Sequence, residues 1–68
     1  MSELNIEVGL NIRNARKSKG ISQENLALRA KIDRSYMSRV ERGLTNLTIE
    51  SLYKIAGAIG VSPHSLLP

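Results

Sequence analysis

The chain has 68 residues, ten Lys and Arg against six Asp and Glu for a formal charge of +4, no cysteine and one histidine, His64. A chain of that length buries only about 60% of its unfolded surface, so it holds one domain with one core and room for little beyond a single surface site. Without cysteine there are no disulfides or thiolate metal centres, a lone histidine makes no zinc site, and no cofactor is implied.

No apolar run approaches the ~20 residues of a membrane span, and the acids of MSELNIEVG do not suit a signal peptide, so the expectation is a cytoplasmic protein with no membrane partner. The basic excess favours a polyanionic partner but serves solubility equally well.

The chain divides into short helical patterns. Val8, Ile12 and Ala15 recur at four and three, the stripe of an amphipathic helix, with Lys17 and Lys19 in its last turn ahead of Gly20. Ser22 suits the N-cap of a second helix, with Glu24 at the positive end of its dipole and Leu26, Ala27 and Ala30 inward. Asp33 suits the cap of a short third helix, with Tyr36, Met37 and Val40 inward and Gly43 as a left-handed stop. Thr48 opens a fourth, burying Leu52, Ile55, Ala56 and Ile59 before Gly60. Ser62 followed by Pro63 predicts a fifth, carrying Leu66 and Leu67. With no alternating strand pattern, repeat or long linker, these elements are expected to form one all-α domain over 1–68, a compact five-helix bundle with helices four and five at about 48–67.

The strings GLNIRNARKSKGISQENLALRAKI, DRSYMSRVERG and NLTIESLYKIAGAIGVS resemble the phage-repressor and Cro-like helix-turn-helix family from roughly Val8 to Leu67. Within it, DRSYMSRVERG and NLTIESL are most similar to the small controller proteins of restriction-modification systems. The resemblance implies a fold of the lambda-repressor type, with the helix-turn-helix at about 22–43, and a transcription regulator bound to double-stranded DNA, with RNA polymerase as a further candidate partner. It also implies that Arg16 and Glu41 form an internal salt bridge. In the turn between helices two and three the family commonly has glycine, whereas this chain has Lys31; a left-handed close of helix two at Lys31 would strain its backbone, and a turn built differently would not.

In that fold one helix enters the major groove and the preceding one spans the phosphate backbone. The outer face of helix three would then read bases through Arg34, Ser35 and Arg39. A guanidinium can fork onto guanine O6 and N7, whereas a serine hydroxyl discriminates weakly. Gln23, at the start of helix two, would take a phosphate or brace the reading helix. Tyr36 and Ser38 could reach a phosphate or base edge, with Tyr36 equally suited to the rim of the core. Arg42, Thr45 and Asn46 match the family's second backbone-contact region. The competing reading of each is a solvated helix face or loop, and for Arg13 and Lys17 the solvated face is preferred.

A lone short helix reads few base pairs, so a homodimer on a palindromic operator is expected, with half-sites about one turn, ~34 Å, apart. Leu66 and Leu67, near the end of the sequence, with Tyr53 on the outer side of helix four, are the candidate interface. An enzyme is disfavoured: one histidine, no cysteine, no phosphate loop and no paired-carboxylate constellation offer nothing to build a catalytic site from. A protein-interaction module on the same fold, antitoxin-like or adaptor, is the alternative, distinguished by indifference to loss of Arg34 and Arg39.

Overall fold

The computed structural model describes residues 2–68. Four α-helices and one short 3₁₀ turn follow in order: α1 Glu3–Ser18, α2 Gln23–Ala30, α3 Arg34–Glu41, α4 Ile49–Ile59, and the 3₁₀ turn Pro63–Leu66. Strands are absent among the described residues, and no helix there is long and apolar enough to cross a membrane.

Each helix starts where a side chain satisfies an orphan backbone donor. Ser2, Ser22, Asp33 and Thr48 accept from the N–H two or three residues on, at the heads of α1, α2, α3 and α4. The α1 helix opens at Glu3, well before the Val8 stripe that marks it in the sequence, because the Ser2 cap adds a polar first turn. Lys31 adopts the left-handed conformation, φ 57°, and the Ile32 N–H returns to the Ala27 carbonyl at 2.9 Å, turning the chain from α2 into α3.

The core is one cluster in which Ile12 of α1, Leu26, Ala27 and Ala30 of α2, Met37 and Val40 of α3, and Leu52, Ile55, Ala56 and Ile59 of α4 meet, together with Ile21 and Leu66. Helix α2 packs on α3 and α4, while α1 packs on α3. At the α1–α3 crossing the backbones touch: a Cβ on Gly9 would lie 2.4 Å from the Val40 carbonyl oxygen, so only glycine fits.

Two expectations need correction. The fifth element is not an α-helix but a four-residue 3₁₀ turn, closed by Ser65 N–H to Ser62 O and Leu67 N–H to His64 O, both at 3.1 Å. So short a segment gains more by docking than by propagating an α ladder. Its docking also removes Leu66 from the candidate interface: the side chain is 1% exposed, inside the monomer's own core, and its carbonyl accepts from Asn11 Nδ2 at 3.1 Å. Leu67 and Tyr53 remain at the surface, 44% and 63% exposed.

Candidate nucleic-acid interface

The short α3 has two opposed faces. Met37, Val40 and Glu41 are buried, which leaves Arg34, Ser35 and Arg39 exposed with Tyr36 and Ser38 half-buried at the margins. At 100° per residue Ser35 and Arg39 stand almost in line, one turn apart, while Arg34 lies toward α2. There it meets Glu24, its Nη1 3.4 Å from the carboxylate, an exposed pair ten residues apart that no sequence pattern marks.

Asp33 orders the first turn of α3. Its carboxylate accepts from the Ser35 hydroxyl and from the backbone N–H groups of Ser35 and Tyr36, at 3.1 and 3.2 Å. These bonds, the Ser35 hydroxyl first among them, hold the Asp33 carboxyl below the ordinary carboxylate range. The Ser35 proton is thereby committed to Asp33, leaving its oxygen as an acceptor. Arg39 lies 5.9 Å from the centre of the Tyr36 ring, at the outer range of a cation–π contact. Tyr36 itself packs against the core, and its hydroxyl donates to the Asn46 carbonyl at 3.4 Å, the geometry of a rim residue.

Beneath this face lies the ion pair that anchors it. Arg16 donates from Nε to Glu41 Oε2 at 2.7 Å and from Nη2 to Oε1 at 2.9 Å, and its Nη1 reaches the Ile21 carbonyl at 2.9 Å. Gln23 Nε2 donates to the same Glu41 carboxylate at 3.2 Å, so its side chain braces the end of α3. At the head of α2 the Ser22 hydroxyl accepts from the Asn25 N–H at 3.0 Å, and the N–H groups of Gln23 and Glu24 before it belong to the helix's first turn, which has no intrahelical acceptor for them.

Gln23, Ser38 and Arg42 line a shallow cleft whose wall also includes Arg13. From the sequence alone Arg13 reads as part of a solvated face; the packing of α1 against α3 carries it to this cleft, ahead of the helix-turn-helix in sequence. Arg42 Nε donates to the Ser38 carbonyl at 3.4 Å and is otherwise exposed. Thr45 is half-buried and Asn46 exposed in the loop that follows, where Asn46 Oδ1 accepts from Asn5 Nδ2 at 2.8 Å. Among the described residues there is no cluster of His, Cys, Asp and Glu able to hold a metal ion.

The chain is 38% identical to the restriction-modification controller protein C.AhdI of Aeromonas hydrophila, whose crystal structure it matches with a TM-score of 0.90 over 93% of this chain and 96% of that one. It is 42% identical over 60 residues to the control protein C.BamHI of Bacillus amyloliquefaciens, covering 87% of this chain and 74% of that protein. A hypothetical transcription factor of Neisseria meningitidis is 40% identical over 65 residues, 96% of this chain but only 61% of the relative's length. A family profile described as helix-turn-helix matches residues 12–66, from the core of α1 to the end of the 3₁₀ turn, and the chain belongs to that family.

Proposed function

We propose that this chain is a sequence-specific regulator of transcription that binds double-stranded DNA as a homodimer on a palindromic operator, with α3 as the reading helix, in the manner of a restriction-modification controller. The observation that carries the reading is the two-faced α3: its inner side is locked into the core and onto Arg16, while its outer side offers Arg34, Ser35 and Arg39 beside the cleft of Arg13, Gln23, Ser38 and Arg42. Arginines would fork onto guanine edges, and the flanking donors would hold phosphates. Arg42, Thr45 and Asn46 would extend the backbone contact beyond α3. A partner for activation at a promoter would be RNA polymerase.

The dimer reading rests on an apolar groove of about 430 Å³, lined by Leu4, Val8, Leu47, Ile49, Leu52 and Leu67 and reaching Asn46 at one margin. Ile49 and Tyr53 stand exposed on α4, and such a patch on a small domain marks a contact surface. A two-fold axis at this groove would pair Leu67 and Tyr53 with their symmetry mates. Selection from a randomised duplex pool tests the whole reading: it should enrich an inverted repeat, and enrichment of no motif at low salt overturns it. In sedimentation at micromolar concentration the protein should run as a dimer that Ile49→Glu dissociates.

A further inference from the structure

A free serine hydroxyl both donates and accepts, which is why it distinguishes bases weakly. Ser35 is not free. Its hydroxyl donates to Asp33 Oδ2, and the same oxygen accepts the backbone N–H groups of Ser35 and Tyr36 at 3.1 and 3.2 Å, so the carboxylate is itself pinned to the end of α3. These bonds hold the Asp33 carboxyl below the ordinary carboxylate range, so it is ionised at neutral pH. An ionised carboxylate only accepts, and the bond between the two side chains therefore runs in one direction.

What the exposed Ser35 has left to offer is the two lone pairs of Oγ and no proton. In a docked helix-turn-helix the N-terminal residues of the second helix meet base edges. There adenine N6 and cytosine N4 are amino donors, whereas guanine O6, thymine O4 and the purine N7 atoms are acceptors that would face Oγ lone pair to lone pair. To donate to one of those, the hydroxyl would have to leave a charge-assisted bond about twice as strong as a neutral one.

We propose that Ser35 reads a base amino group, adenine N6 or cytosine N4, and that Asp33 is the positioning residue that sets this polarity by holding the serine proton. The proposal rests on the DNA-binding reading above and narrows it. Arg34 and Arg39 carry donors only, so the outer face of α3 would combine donors for guanine with one acceptor for an amino group.

The test begins at the base pair of the selected duplex where Ser35→Ala relaxes preference. Each base pair carries one amino group in the major groove, so the probe removes that atom alone: purine in place of adenine, or the pyrimidinone lacking N4 in place of cytosine. By fluorescence anisotropy the wild type should lose about three- to tenfold in affinity beyond what Ser35→Ala loses on the same probe, the worth of one hydrogen bond. Removing the purine N7 at that pair, with a 7-deaza base, should cost the two proteins alike. Asp33→Asn keeps an oxygen for the serine proton and for the two backbone N–H groups, and should retain the difference; Asp33→Ala frees the hydroxyl and should abolish it. Equal losses of wild type and Ser35→Ala on the amino-deleted probe would overturn the proposal, as would a difference that appears with the 7-deaza base instead or that survives Asp33→Ala in full. If the wild type selects no motif, the DNA-binding reading itself fails; if it selects one that Ser35→Ala leaves unchanged, that reading stands and the role of Ser35 falls.

Discussion

Arg16 and Glu41 meet in the interior of the domain, Nε to Oε2 at 2.7 Å, and so tie the last turn of α1 to the last turn of α3. Two buried charges are costly to desolvate, so the pair has little net advantage over apolar residues, but each partner depends on the other. Arg16→Ala should cost about 3–5 kcal/mol, close to the whole stability of a small domain. Arg16→Met combined with Glu41→Leu should recover part of that loss, though not all, because the Ile21 carbonyl and Gln23 also lose their partners. Urea unfolding of the single and double variants measures both; a single variant as stable as wild type would mean that the pair is not buried in solution.

Glycines at two helical positions should respond in opposite directions. Gly9→Ala drives a methyl group into the Val40 and Glu41 carbonyls and should destabilise by more than about 2 kcal/mol. Gly57→Ala, inside α4 with open space at its Cβ, should stabilise by about 0.5–1 kcal/mol. Thermal melts of both variants decide it, and a stable Gly9→Ala protein would contradict the close crossing of α1 and α3.

Lys31 is the one non-glycine residue with positive φ among the described residues, at 57°. Its side chain makes that conformation cost roughly 1 kcal/mol, which Lys31→Gly relieves. For a domain of this size the melting temperature should rise by about 4–8 °C. A fall would mean that the turn gains more from the lysine than its backbone loses.

Much of this fold is legible in the sequence because it is punctuated locally. A hydroxyl or carboxylate at Ser22, Asp33 and Thr48, and a left-handed glycine at Gly43 and Gly60, act within a few residues, so each of these boundaries can be read where it stands, whereas the left-handed Lys31 is suggested only by the family resemblance. The family resemblance adds the Arg16–Glu41 pair, which no local rule supplies. What stays hidden depends on contacts distant in sequence. Leu66 near the end of the sequence has the composition of an exposed interface residue and is buried only because the 3₁₀ turn folds back on α1 and α4. Gly9 reads as a weak spot in a helix until α3 is laid across it. Arg13 and Asn5 sit on polar faces, and only packing brings one to the cleft and the other to Asn46.

Asp33 gives the α3 cap a pH dependence. Because its hydrogen bonds lower the carboxyl pKa in the folded state, the stabilisation is fully present above the ordinary carboxylate range and is lost as pH falls through the lowered folded value. Asp33→Ala should therefore melt below wild type at neutral pH, and the gap should narrow as the pH falls below the ordinary carboxylate range. Melting curves across that range test it; a gap independent of pH would show that the ionised carboxylate is not the capping group.

Whether α3 reads base sequence is measured most directly by the ratio of affinities for the selected duplex and a random one, at fixed salt, for wild type, Arg39→Ala and Gln23→Ala. Arg39→Ala should lose about 1–3 kcal/mol on the selected duplex, with preference relaxed at one base step and little change on random DNA. Gln23→Ala should weaken both duplexes alike and leave the ratio intact. If Arg39→Ala instead weakens both duplexes equally, or if wild type shows no preference between them, α3 does not read sequence.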